Sequence, residues 1–225
     1  STGSADAVSE SGSAFFVNDT ILVTNHHVVE GPLTAGQGSV AVRVFSGTSK
    51  ARLLPVDVLA SDPEADLALL RIKEPIRGVK PLEISPDRPG RQNEIYAFGF
   101  PLGTMLDRSV NGPNVSLRRG YVSRLLDDGK YVEADVNIDK GVSGGPMVDT
   151  SGVVCGVICT IAGSDYNRTY AGIAIASPVL IDFCQANGCG LTLRGGRRLD
   201  ATTSLPPPMN LNKGAGGDRP TPAAD

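Results

Sequence analysis

Residues 139–147 read DKGVSGGPM, with a single serine, Ser143, set among Gly141, Gly144 and Gly145. A Ser-Gly-Gly-Pro run is what a tight turn is made of, since glycine supplies positive φ and proline punctuates the chain. The stretch alone admits two readings: a plain turn, or a turn that presents a nucleophile. Only its partners can decide. A serine hydroxyl is activated by a base within hydrogen-bond reach, and a third group must orient that base.

The chain offers two histidines, His26 and His27, side by side and far upstream of Ser143. Gly141-Val-Ser143-Gly-Gly145 fits the G-x-S-x-G elbow of α/β-hydrolases. That fold, however, orders its triad Ser, Asp or Glu, then His, and follows the serine with a helix. No histidine follows Ser143, and Gly144-Gly145-Pro146 leads into MVDTSGVV, a strand pattern with a turn. Both requirements fail. The order that remains is His, Asp, Ser, the chymotrypsin order.

Composition bounds the rest. The 225 residues, 40% hydrophobic, suffice for one large or two small β-domains. A net charge of −3 provides no basic surface for nucleic acid. No apolar run reaches the roughly 18 residues of a membrane span. The opening, STGSADAVSE, reads as processed or truncated, so the lack of a secretory signal says little about export. Glycine is frequent, at 27 residues. Segments rich in Val, Ile and Phe, such as TILVTN, LALLRIK, EIYAFGF and YAGIAIAS, are broken by Gly, Asn, Asp or Pro every ~8–12 residues. That spacing predicts an all-β chain. One helix is expected over SPVLIDFCQANG, with Ser177 as cap, Pro178 at the first position and Gly188 at the stop. PLEISPDRPGRQN, residues 81–93, reads as a connection between two β units. From residue 194 onward the chain is Pro-, Gly- and polar-rich without periodicity, and it is expected to be disordered.

Of the four cysteines, Cys155 and Cys159 fall on one strand about 13 Å apart, too far to bridge. Cys184 and Cys189 flank a turn signal and could meet, or could remain thiols. The spacings suit no zinc site, and no metal or cofactor is expected. Asn18, Asn114 and Asn167 each open an N-x-S/T tripeptide, a pattern frequent by chance.

Three segments in order resemble HtrA-type trypsin-like proteases. SGSAFFVNDTILVTNHHVVEG (11–31) is similar to that family's histidine segment. SDPEADLALLRIK (61–73) resembles its D-P-x-x-D-L-A-V-L-K-I. ADVNIDKGVSGGPMVDTSGVVCGV (134–157) looks like its serine segment, and EIYAFGFPLG and SLRRGYVSRLL fit the strands between. The likeness runs over residues 10–183. It implies two packed six-stranded antiparallel β-barrels, residues 1–88 carrying His and Asp and residues 89–193 carrying Ser, with the site in the cleft and a tail over 194–225. No PDZ module, usual in that family, fits in the tail.

The resemblance assigns His27 as base, Asp66 as its orienter and Ser143 as nucleophile, with the N–H groups of Gly141 and Ser143 forming the oxyanion hole. Without the flanking match, the His pair would read as polar residues at a strand end. Asp62 and Glu64 read as loop carboxylates. Asn137, Ile138 and Lys140 fall on one side of the P1 pocket, and Cys159, Thr160, Ile161, Gly172 and Ala174 on the other. With no carboxylate at its base, small or medium aliphatic P1 residues are expected. Val142 departs from the family, which usually has Asn there. Trypsins have Asp, which pairs with a newly cut N-terminus, so activation by that route is not expected. The implied activity is a serine endopeptidase acting on proteins or peptides, with a weak pseudoprotease or binding module on the same fold as the alternative. An extracytoplasmic location is favoured, and the oligomeric state is left open.

Overall fold

The computed structural model describes residues 11–35, 39–101, 111–159, 171–201 and 203–211. Its first sheet holds β1 (Phe15–Phe16), β2 (Ile21–Thr24), β3 (Val40–Val44), β4 (Arg52–Asp62) and β5 (Leu67–Arg71) in the antiparallel order β1-β2-β5-β4-β3. The second comprises β6 (Glu94–Gly99), β7 (Ser116–Leu126), β8 (Tyr131–Ala134), β9 (Pro146–Asp149), β10 (Val154–Cys159) and β11 (Gly172–Ala176), closed as a six-stranded antiparallel barrel. The fold is chymotrypsin-like.

Strand composition follows position. β2 and the first four residues of β5 are buried throughout and read as unbroken apolar runs, because both faces are covered. β6 alternates buried and half-buried residues, as a barrel strand does when one face meets the interior. Three apolar clusters result. One fills the closed barrel around Ile95, Val132 and Ile158, and one lies under the first sheet around Leu22, Val58 and Leu70. The largest joins the two halves through Val23, Leu67, Leu69, Val157, Ile175 and Leu180.

The structure departs from the sequence-based expectation in four places. The first unit has five strands among the described residues, and these do not close. β1 is only two residues long, and on its far side the chain runs past as irregular backbone, with Leu82 N–H donating to Phe16 O at 2.9 Å. That segment is proline-rich, and prolines cannot donate to a ladder.

A second helix, α1 (His26–Ala35), begins at the histidine pair, where a strand end was expected. Gly31-Pro32 resembles a break in sequence. In the helix, Pro32 removes one i→i−4 donor while the turns on either side persist.

The expected helix is present as α2 (Ser177–Ala186), with Pro178 in its first turn. Ser177 is not its cap: Ala176 holds that position, and the Ser177 hydroxyl, fully buried, contacts Asp87 O at 3.5 Å.

The tail is structured to residue 211, with residue 202 outside the description. β12 (Leu191–Leu193) pairs with β13 (Arg197–Leu199), and Met209 N–H donates to Val58 O at 2.7 Å. Composition missed this because the apolar partners, Leu191 and Leu193, lie before the point at which the composition changes.

Candidate active site

His27 lies in the first turn of α1, directly after the buried β2, and Asp66 stands one residue before β5, which pairs with β2. The antiparallel register therefore brings the two to the same end of the sheet. Asp66 adopts φ 52°, a left-handed conformation that costs a non-glycine residue roughly 1–3 kcal/mol and persists only when its surroundings hold it. Asn25 does so, donating from Nδ2 to Asp66 O at 2.9 Å. That arrangement leaves Asn25 Oδ1 buried without a partner, at roughly 1–3 kcal/mol.

The Asp66 carboxylate then meets His27 three times. Nδ1 lies 3.0 Å from Oδ1 and 2.9 Å from Oδ2, and the His27 backbone N–H donates to Oδ1 at 3.1 Å. With Nδ1 donating its proton to the carboxylate, Nε2 is left as the basic nitrogen. His26 does not compete for this role, because its Nδ1 is paired with Ser61 Oγ at 2.7 Å. Asp62 accepts the N–H groups of Glu64 and Ala65 at 2.8 and 3.1 Å, so it builds the turn rather than the site.

Ser143 sits on a loop held from behind. Val142 N–H closes a turn on Asp139 O at 3.2 Å, with Gly141 at φ 94°, the positive φ that the third position of a type II turn requires. Gly144 N–H donates to Ile158 O, and Ile158 N–H donates to Gly145 O, both at 2.8 Å, which ties the loop to β10. Neither glycine can carry a side chain. A Cβ on Gly144 would lie 2.2 Å from Ser13 O, and one on Gly145 2.1 Å from Phe98 O.

Sequence reasoning missed Ser13. Its backbone N–H donates to Ser143 O at 2.8 Å, and its hydroxyl donates to Gly141 O at 2.7 Å. The hydroxyl also accepts Phe100 N–H at 3.0 Å, and Ser13 O accepts the Thr24 hydroxyl at 2.8 Å. One buried serine thus links β2, the end of β6 and both residues of the expected oxyanion pair. The only signal was its place in SGSAFF, within the family-like stretch.

The expected pocket residues divide. Ile138 lies against Gly172, where a Cβ would come within 2.4 Å of Ile138 Cδ1, and Ala174 is buried in the closed barrel. Asn137 and Lys140 are exposed. Cys159 belongs to the junction between the two halves, and burial pushes its thiol up to about 12, with the Asp66 carboxylate adding to the shift. Thr160 and Ile161 lie outside the described residues. The Asp139 carboxylate is paired with Arg118 of β7. Among the described residues there is no cluster of three or more groups suited to a metal, and no helix long and apolar enough to cross a membrane.

A two-part β fold with a His–Asp pair and a glycine-held serine defines a trypsin-like serine endopeptidase domain. The family model for the trypsin-like peptidase domain matches residues 12–157, and the chain belongs to that family. Within it the likeness is to HtrA-type proteins. A probable periplasmic serine endoprotease DegP-like from Bartonella henselae is 32% identical over 170 residues, covering 74% of this chain and 31% of that protein. The magnetosome formation protease MamE of Paramagnetospirillum magneticum is 32% identical over 166 residues, 72% of this chain and 21% of that protein. A serine endoprotease from Yersinia pestis superposes with a TM-score of 0.61 at 21% identity, over 80% of this chain and 58% of that one, a likeness of fold. The chain thus spans under a third of these curated relatives' length.

Proposed function

We propose that this domain hydrolyses peptide bonds through His27, Asp66 and Ser143 by way of an acyl-enzyme. The observation that carries this reading is the His27–Asp66 contact, 2.9 Å from Nδ1 to Oδ2, which fixes the tautomer in which Nε2 accepts a proton. Ser143 Oγ attacks the substrate carbonyl carbon as its proton passes to Nε2. The negative charge that develops on the carbonyl oxygen is met by the N–H groups of Gly141 and Ser143. Such preorganised donors lower the barrier by about 2.7–4 kcal/mol each. The imidazolium, stabilised by Asp66, then protonates the leaving amine. The ester left on Ser143 is hydrolysed by water, with His27 again as base.

The same reading gives a neutral P1 pocket. Asp139 is engaged by Arg118, and Ile138 occupies the space that a larger residue at position 172 would need. A Lys or Arg would lose solvation on entry with no opposing charge, whereas each buried methylene contributes about 0.8 kcal/mol. Val, Ala or Leu at P1 is expected, with basic residues disfavoured at least about tenfold. Substrates are taken to be proteins or peptides. The domain is placed outside the cytoplasm, in keeping with the periplasmic naming of its DegP-like relatives.

An active-site-directed fluorophosphonate should label Ser143, and Ser143→Ala should abolish labelling. A folded chain that does not label would favour the binding-module alternative. Cleavage mainly after Arg or Lys in a P1-varied peptide library would refute the neutral pocket.

A further inference from the structure

Two cysteines that the proposed chemistry does not use are brought together by the way α2 ends. The helix stops in a complete Schellman motif. Gly188 takes a left-handed φ of 71°, its N–H donates to Gln185 O at 3.2 Å, and Cys189 N–H donates to Cys184 O at 2.8 Å. In this motif the side chains at the first and last of the six positions touch, usually as an apolar contact. Here both are cysteines, both are free thiols, and the neighbouring Cys189 side chain together with burial pushes the Cys184 thiol well above its ordinary value.

The backbone sets the reach. With standard bond lengths on either side of the 2.8 Å hydrogen bond, the two Cα atoms can be no more than about 6.7 Å apart. A disulfide spans Cα separations of about 4.4–6.8 Å. Both side chains are buried in the cluster that joins the two halves, so neither faces solvent as an isolated reactive thiol. Cys155 and Cys159, four residues apart on one strand, lack any such approach.

We propose that Cys184 and Cys189 form a disulfide when the chain folds under oxidising conditions, pinning the end of α2 to the start of β12. The oxidant is a low-molecular-weight disulfide. One cysteine thiolate attacks it, breaking its S–S bond and releasing one reagent thiol. The second cysteine, as thiolate, displaces the other reagent thiol from the mixed disulfide. Two protein thiols lose two electrons and two protons, and one reagent disulfide becomes two thiols.

The bridge stands at a structural corner. Asn18 Nδ2, from the turn between β1 and β2, donates to Cys189 Sγ at 3.4 Å and to Gly190 O at 3.2 Å. A Cβ on Gly188 would lie 2.4 Å from Ser204 O, so the tail crosses the same turn. Closing the disulfide holds the surface on which the first sheet, α2 and the tail all rest.

The test uses the full chain, unfolded in urea and refolded in glutathione buffers, so that buried thiols equilibrate. The protein is then unfolded and alkylated with N-ethylmaleimide. Four cysteines should be labelled from the reduced sample and two from the oxidised one, with peptide mapping assigning the unlabelled pair to 184 and 189. The oxidised form should melt roughly 3–8 °C higher than the reduced form, and Cys189→Ala should remove that difference. Four labelled cysteines at every glutathione ratio, a retained glutathione adduct in place of a bridge, or a bond mapped to Cys155 or Cys159 would overturn the proposal.

Discussion

Ser13→Ala deletes one oxygen from behind the Ser143 loop. That oxygen donates to Gly141 O at 2.7 Å and accepts Phe100 N–H at 3.0 Å, and the residue is 4% exposed. Alanine leaves the buried Gly141 O and the half-buried Phe100 N–H without this partner. Each such group costs about 1–3 kcal/mol, so a loss of roughly 2–6 kcal/mol is expected, or about 4–24 °C in Tm for a chain of this size. The fold should survive, because the Ser13 N–H bond to Ser143 O and the Thr24 bond to Ser13 O involve backbone atoms of residue 13 that alanine retains.

The effect on catalysis follows from which peptide is released. Gly141 O belongs to the residue whose N–H is the proposed oxyanion donor, so losing its anchor lets that N–H drift. Complete loss of one donor costs about 10²–10³ in kcat, so partial misalignment should cost about 10- to 100-fold. KM should change little, since the contact strengthens only in the transition state. Steady-state kinetics on a fluorogenic peptide, run well below the variant's Tm, separates the two terms. A lowered Tm with unchanged kcat would mean that Ser13 is a structural bond with no hold on the oxyanion donors. An unchanged Tm would refute the geometry itself.

His27→Ala and Asp66→Asn should each lower kcat by about 10⁴-fold or more, whereas His26→Ala, whose imidazole bonds Ser61, should stay within a few-fold of the parent. A chain cut after Leu193 loses β13 and the Met209–Val58 bond and should be destabilised by about 1–3 kcal/mol, read as a lowered urea midpoint; an unchanged midpoint would mean that these contacts add nothing to stability. Burial raises the Cys155 and Cys159 thiols to about 12, while unfolded thiols ionise near ~8.5. The native state therefore binds the extra protons, and the stability they contribute is full below about pH 8.5 and lost as pH rises toward 12. Melting temperatures from pH 8 to 11 should fall in Cys155→Ala less steeply than in the parent.

Several features were legible in sequence because they rest on local rules. The order His, Asp, Ser and the strand that follows Gly145 were enough to discard the α/β-hydrolase elbow. Pro178 and Gly188 marked α2 within a residue or two. What escaped depends on contacts distant in sequence. Ser177 looks like a cap but turns inward, because Asp87 O lies within its reach. His26 and Ser61 are 35 residues apart, and only the packing of α1 beside β4 and β5 separates the two histidines into different roles. Ser13 and Gly141 are 128 residues apart, and no periodicity announces a hydroxyl that spans them. The tail read as disordered because its own residues cannot make a core; β12 and Val58 supply the missing partners.

Val142 tests how the oxyanion turn is held. In trypsins the residue at this position is an Asp that pairs with a cationic N-terminus. Here the side chain is 3% exposed within an apolar cluster that includes Val136, Met147 and Ile158. The fit is close, since a Cβ on Gly99 would lie 2.7 Å from Val142 Cγ1. The turn is therefore secured by apolar burial and by neutral hydrogen bonds from Ser13. Val142→Asp should bury a carboxylate with no partner, at several kcal/mol. Desolvation would raise that carboxyl's pKa in the folded state. The variant should then keep more of its stability below the unfolded value of about 3.9 and lose it as pH rises toward neutrality, the reverse of an ion-paired aspartate. Thermal melts of parent and variant from pH 3.5 to 7 measure the difference, and the gap in Tm should widen with rising pH. A gap that narrows as pH rises would mean that a cation reaches residue 142, and that the turn can be held by charge after all.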